Sequence, residues 1–300
     1  MPEPSHAIET RELTKKYRKR LAVDHLSLTV PTGSVFAFLG RNGAGKTTAI
    51  RMLLNLLDRT SGEARVLGLD PRRDDFAIKR RVGYVAEGQR MYDWMTVRRI
   101  AWFCQGFYPS WDPKLAEDLM RQMELPADEK LGNLSRGAQA KVALLLAMAF
   151  RPELLILDEP TAGLDVVVRR EFLEGVIDLI QQEGRTVFFS SHLVHEVERV
   201  ADWVGIIEGG KLIACGPIEE LKRSVKRLVM TFEEDAPAGM DLAGALAVES
   251  VGRQSSAVVR GYSDDVLAQA RRYRPRTLDV EDLSLEDVFV ALVGGRSADR

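Results

Sequence analysis

Three hundred residues allow one large domain plus a small one, and 45% hydrophobic with 29% charged residues is the balance of an ordinary globular protein. A formal net charge of -2 gives no bulk attraction to nucleic acid or to an anionic membrane, so no nucleic-acid partner is expected. Cys104 and Cys215 lie far apart and suggest neither a disulfide framework nor a zinc site, which fits a reducing cytoplasm. The amino terminus lacks the basic-then-apolar pattern of an export signal. The longest strongly apolar stretch, Val142–Phe150, is about half the length of a bilayer crossing, so the chain is not expected to span a membrane by itself.

In chain order, Ile8–Leu13 and Leu26–Val30 alternate well enough to be strands. The charged segment Lys15–Arg20 between them reads as a solvated turn, although Tyr17 is also placed to stack on an adenine base. The apolar run Val35–Leu39 then meets Gly40-Arg-Asn42-Gly43-Ala-Gly45-Lys46-Thr47-Thr48 and a helix with Ile50, Leu53, Leu54 and Leu57 on one face. A strand, a glycine-rich turn and an amphipathic helix in that order bind a nucleotide polyphosphate. Gly40, Gly43 and Gly45 let backbone amides converge on phosphate oxygens, and the positive end of the helix adds a favourable field. Lys46 is placed to bridge the outer phosphates and Thr47 to hold magnesium.

Glu63–Leu69 and Arg80–Val85 read as further strands, the second followed by the polar and aromatic segment Ala86–Trp94. A helical insertion is expected over about 95–150, opened by Thr96 as a cap, with Pro113 in the first turn of a helix to Met123. Its aromatics Trp102, Phe103, Phe107, Tyr108 and Trp111 read as packing. Leu134-Ser135-Arg-Gly137 runs into the apolar helix Val142–Phe150; Ser135 is a cap, and free amides beside it could receive an anion.

Leu154–Leu157 is a buried strand that delivers Asp158 and Glu159 at its carboxyl end, the edge where open α/β sheets bind ligands. Adjacent buried carboxylates are costly without work or partners. Asp158 is the expected magnesium partner of Thr47, and Glu159 the group that orients or deprotonates the attacking water. A turn at Thr161–Asp165, a long helix over 166–183 and a buried strand Thr186–Ser191 follow, with His192 at the strand's end where an imidazole can meet the terminal phosphate. Asp202–Ala214 reads as a hairpin about Gly209-Gly210, and Ile218–Arg223 as a helix leading out. Beyond it, strand-like Leu228–Phe232 and Ala257–Arg260, a helix from Asp264 and a final helix opened by the Ser284/Asp287 capping box make a small α+β tail.

This ordered set resembles the ATP-binding subunit of a bacterial ABC transporter over residues 8 to about 222. The resemblance implies a P-loop NTPase core of α/β class, with an antiparallel β subdomain and the helical insertion. The domains are then 1–222, ATP-binding, and 223–300, accessory. Ser135 and Gly137 fall in the signature that reaches the partner's ATP, Ala162–Asp165 in the loop joining two sites, His192 at the switch histidine and Tyr17 at the adenine-stacking aromatic.

The tail ending Leu283–Phe289 is similar to extensions of subunits serving separately encoded export-type permeases. Implied are ATP and Mg2+, a homodimer or a pair with a closely related ATPase subunit, a separate transmembrane permease, and a peripheral place on the cytoplasmic side of the membrane. The other reading is a soluble ATPase of this type acting on DNA or ribosomes. Glu87 stands where the family usually has a magnesium-ligating glutamine, with Gln89 the alternative if the loop shifts, and Ser-Arg-Gly-Ala replaces the commoner second glycine and glutamine.

Overall fold

The computed structural model describes residues 6–165, 169, 172–173, 175, 184–237 and 239–294. These divide into two compact units, Met1–Leu212 and Ile213–Arg300. The helix expected over 166–183 lies almost wholly outside the described residues.

The first unit is built on parallel strands β4 (Val35–Leu39), β6 (Val82–Val85), β7 (Leu154–Leu157), β8 (Thr186–Ser191) and β9 (Trp203–Glu208), in the order β9-β4-β8-β7-β6. β4, β7 and β8 are buried along their whole length, as continuous apolar runs covered on both faces should be. The stacked pair Phe36 and Phe188, 5.6 Å between ring centres, lies in this core. Gly40, Asp158 and His192 each follow immediately on the end of a strand. Registers Leu39↔Ser191, Leu157↔Phe189 and Val85↔Leu157 bring those ends to one edge of the sheet.

A second, antiparallel sheet joins β1 (His6–Tyr17) to β2 (Arg20–Leu26), β3 (Thr29–Pro31) and β5 (Ser61–Val66). Here Lys15–Tyr17 are strand, where the charge run suggested a turn, because Lys15, Lys16 and Tyr17 pair with Val23, Leu21 and Arg20. The turn shrinks to Arg18-Lys19, with Arg18 at φ 50°.

Helices α1 (Lys46–Leu53) and α2 (Asp75–Lys79) precede the insertion, which supplies α3 (Val97–Gln105), α4 (Pro113–Gln122) and α5 (Arg136–Met148). Thr96 caps α3 by accepting from Arg99 N at 3.3 Å, and Pro113 opens α4 behind the Asp112 cap. The aromatics of this region divide. Tyr108 stacks on Phe150 at 4.0 Å between centres, whereas Trp102, Phe103 and Phe107 are exposed, Trp102 by 75%. The expectation that all of them pack is corrected for those three.

The helix α6 (Val194–Val200) follows β8, and the strand β10 (Lys211–Pro217) follows β9 in the chain. In the second unit α7 (Ile218–Ser224) leads into a sheet ordered β12 (Ala245–Val251), β13 (Gln254–Arg260), β11 (Val225–Thr231) and β14 (Thr277–Asp282). Helix α8 (Asp264–Arg272) lays Val266 and Ala270 on Leu228, Met230, Ala257 and Val259. The terminal helix α9 (Leu285–Gly294) begins at the expected capping box, where Asp287 N donates to Ser284 Oγ at 3.1 Å and Ser284 Oγ donates to Asp287 Oδ2 at 2.7 Å.

Candidate nucleotide site

An open cleft of about 610 Å³ lies at the carboxyl edge of the parallel sheet, lined by Tyr17, Asn42, Gly43, Gly45, Lys46, Thr47, Thr48, Glu87, Glu159 and His192, together with Arg20 and Arg169. The turn between β4 and α1 has Gly43 at φ 80° and Gly45 at φ 113°, left-handed geometry that side chains resist. A Cβ on Gly45 would lie 2.4 Å from the Ala22 carbonyl oxygen, so β2 packs directly on this turn. Gly45 caps α1 with no side chain, which leaves first-turn amides directed at the cleft for an anion. Gly40 anchors the other end of the turn, its N–H donating to Ser191 O at 3.2 Å.

Lys46 is buried at the floor. Its ammonium donates to Gly40 O at 2.6 Å and to Arg41 O at 3.3 Å and lies 3.0 Å from Glu159 Oε1. The other oxygen of Glu159 meets His192 Nδ1 at 2.8 Å, so the carboxylate is held between a cation and an imidazole. Glu159 takes φ 46°, a left-handed bend that turns the chain out of β7 immediately after Asp158.

Asp158 is 0% exposed. Its Oδ1 accepts from Thr47 Oγ1 at 3.1 Å and from Ser190 Oγ at 2.8 Å, while Ser190 Oγ also accepts from Glu159 N at 2.9 Å. Burial raises the Asp158 pKa above the usual carboxylate range, against the hydrogen bonds from Ser190 and Thr47 and with the added push of the Glu159 charge. Asp158 Oδ2 is buried without a hydrogen-bond partner. An orphaned carboxylate oxygen beside a threonine hydroxyl is a hard oxygen donor set of the kind magnesium takes, so the residues present fit that ion.

Of the residues expected from sequence, Tyr17, Asn42, Gly43, Gly45, Lys46, Thr47, Thr48, Glu87, Glu159 and His192 come together here, with Asp158 joined through Thr47. Glu87 lines the same cleft; Gln89 instead lines a separate one of about 490 Å³ beside α5, where its Oε1 accepts from Ala86 N at 3.4 Å. Ser135 and Gly137 stand apart from Lys46, at the start of α5, where exposed Ser135 Oγ accepts from Ala138 N at 3.2 Å. Sequence reasoning missed Ser190, Arg20 and Arg169. A serine at the end of an otherwise apolar core strand was the available signal for Ser190; nothing marked the two arginines.

A profile of the ABC transporter family matches residues 23–162. The bacitracin transport ATP-binding protein BcrA of Bacillus licheniformis is 34% identical over 97% of this chain and 98% of its own length. The daunorubicin/doxorubicin resistance ATP-binding protein DrrA of Streptomyces peucetius is 32% identical over 99% of this chain and 96% of its own. Among solved structures, the ATP-binding subunit of an ABC transporter superposes with a TM-score of 0.66 at 24% identity, over 72% of this chain and 92% of that one. A dimeric post-hydrolysis state of the ATP-binding cassette MJ0796, bound to ADP and phosphate, gives 0.63 at 20%, over 70% and 98%. A glycine-rich turn opening a helix, a buried aspartate and a pinned glutamate at one sheet edge, with relatives matched end to end, place this chain among the ATP-hydrolysing, ATP-binding subunits of ABC transporters.

Proposed function

We propose that the chain hydrolyses ATP in a head-to-tail dimer, with a second copy or a closely related ATPase subunit, and drives a separately encoded permease in export. The observation that carries the dimer is the separation within one chain of Ser135 and Gly137 from the cleft of Lys46, Thr47 and Glu159. An exposed helix start with a serine cap is half of an anion site, and a second copy supplies the other half. Residues 1–222 form the ATP-binding part and 223–300 the accessory part.

In this reading Tyr17, 46% exposed at the rim, stacks on the adenine, and the amides of Asn42, Gly43, Gly45 and Thr48 receive the phosphates. Thr47, Asp158 and Glu87 would hold magnesium, which when bound offsets phosphate charge. Phosphate oxygens compete with Glu159 for Lys46, and the Glu159 carboxylate so released takes the proton of the attacking water. His192 keeps that carboxylate oriented through Nδ1 and directs the rest of its ring toward the terminal phosphate. Glu87 in place of glutamine adds negative charge to the site and is expected to alter magnesium affinity or coupling.

Among the described residues no helix is long and apolar enough to cross a membrane, and in this reading the membrane-spanning part is a separate partner. Support for one comes from a contiguous exposed aromatic patch on the insertion. Tyr92 meets Trp94 and Phe103 at 6.0 and 6.4 Å between ring centres, and Phe103 meets Phe107 at 5.2 Å. Such patches mark interaction surfaces, and in this reading the chain sits peripherally on the cytoplasmic face of the membrane. Export is favoured by relatives named for bacitracin transport, Nod factor export and daunorubicin/doxorubicin resistance.

The test is affinity isolation from gently solubilised membranes. A stoichiometric polytopic partner that stimulates hydrolysis and is lost in a Trp102→Ser/Phe107→Ser variant is expected. Recovery of soluble partners alone, with nucleic acid or ribosomes, would refute the transport reading.

A further inference from the structure

Glu196 is a buried carboxylate that the hydrolytic chemistry above does not use. It sits in the first turn of α6, which begins just after His192, and is 7% exposed. Its Oε2 accepts from Thr161 Oγ1 at 3.3 Å, and its Oε1 lies 3.4 Å from Arg169 Nε. Arg169 reaches back from the far side of the turn after Glu159. Its Nη2 donates to Leu164 O at 2.8 Å and its N–H to Asp165 O at 2.9 Å. Both ends of the 161–165 loop are therefore tied to one carboxylate on the helix that follows His192. The body of the loop is closed on its other side by Arg136, whose Nη1 lies 3.1 Å from where a Cβ would project from Gly163.

A buried ion pair is a poor device for stability alone. Desolvating both charges costs several kcal/mol, and apolar residues of the same volume often do as well. What such a pair does supply is a fixed geometry, because Glu196 is held by Thr161 while Arg169 is held by the Leu164 and Asp165 carbonyls. Here the groups fixed are the loop that leaves Glu159 and the helix that leaves His192, and Glu159 and His192 are themselves in contact.

We propose that Glu196 and Arg169 are a positioning pair that locks the 161–165 loop to the helix that follows His192, so that alignment of Glu159 with His192 and placement of the loop occur as one event. This rests on the reading that Glu159 and His192 act in hydrolysis. Glu196 is not part of the cleft lining and Arg169 reaches the cleft; both work through the residues they hold. Loss of the pair slows the chemical step and leaves nucleotide affinity alone, since Lys46, Thr47 and Tyr17 belong to other elements.

The test uses the full chain in four variants, Glu196→Gln, Arg169→Lys, the double Glu196→Gln/Arg169→Lys, and Glu159→Gln as control. Glu196→Gln keeps an oxygen for Thr161 and removes the charge; Arg169→Lys keeps the charge and removes the planar fork that spans Glu196 and Leu164. The expected result is a fall in kcat of about tenfold for each single variant. KM and the affinity for a fluorescent ATP analogue stay within about twofold, and the double variant is little worse than either single.

A lowered unfolding midpoint with unchanged kcat would make the pair merely structural and overturn the proposal. So would a loss of nucleotide affinity matching the loss of kcat. Should Glu196→Gln fail to fold, Arg169→Lys carries the same test. Glu159→Gln separates the two failures. If it hydrolyses ATP normally, the underlying catalytic reading falls; if it is inactive while the pair variants are normal, only the positioning role falls.

Discussion

Alanine at two neighbouring glycines of the phosphate loop separates backbone strain from steric exclusion. At Gly43, φ 80°, an added Cβ would meet only Arg20 Nη2 at 4.0 Å, so the cost is that of a left-handed alanine, about 1–2 kcal/mol. A unit of this size loses about 2–4 °C of melting midpoint per kcal/mol, which gives a drop of about 2–8 °C for Gly43→Ala. At Gly45, φ 113°, the same Cβ lies 2.4 Å from the Ala22 carbonyl oxygen and must move about 1 Å to reach ordinary contact. Either β2 or the first turn of α1 gives way, adding overpacking to strain for about 3 kcal/mol or more and a drop of at least about 6–12 °C. Displacing α1's amides by that much also weakens ATP binding and slows hydrolysis by about a hundredfold. Thermal unfolding with and without ATP, together with an ATP titration, reads both effects. Gly45→Ala as stable as Gly43→Ala, or binding ATP as tightly, would refute the packing of β2 on the loop.

Replacing Glu159 by Gln is expected to lower hydrolysis by about 10²–10⁴-fold while ATP binding persists and an ATP-bound dimer accumulates in size-exclusion chromatography; an unchanged rate removes Glu159 from the chemistry. Ser135→Ala and Thr96→Ala each delete a helix cap worth about 1 kcal/mol. Only Ser135→Ala should also depress hydrolysis, and equal activity of the two would leave Ser135 a cap and nothing more. The Arg59 guanidinium, bonded to both oxygens of Asp70, lowers that carboxyl's pKa below 3.8. Because the folded pKa is depressed, the stabilisation is present above 3.8 and is lost as pH falls through the folded value. Asp70→Asn should therefore lower the urea midpoint near neutral pH and converge on the parent in acid; a deficit that stays constant into strong acid would contradict the linkage.

The nucleotide cleft was legible because each of its parts is local. The glycine turn, the carboxylates after Leu157 and the histidine after Ser191 are fixed by strand ends, and a parallel register brings strand ends together. Contacts that depend on tertiary packing were not legible. Lys46 sharing Glu159 with His192 joins the start of α1 to the turns after β7 and β8, and Arg169 meeting Glu196 depends on how the turn after Glu159 folds back on α6. The charge run Lys15–Tyr17 reads as a turn by composition, yet pairing with β2 makes it a strand, tertiary context overriding propensity. Strands β12 and β14 escaped notice because their side chains are mostly exposed and leave little apolar alternation. Trp102 and Phe107 look like core by residue type, and only the folded surface shows them exposed.

The central claim is that Ser135 of one copy completes the ATP site of another, and mixing two inactive variants tests it most directly. On this account Lys46→Ala removes the cation that receives phosphate and Ser135→Arg blocks the signature, so each alone should be inactive. A mixed dimer contains one site with both residues intact. The account predicts hydrolysis in the mixture well above the sum of the two separate proteins; a mixture no more active than that sum would contradict it.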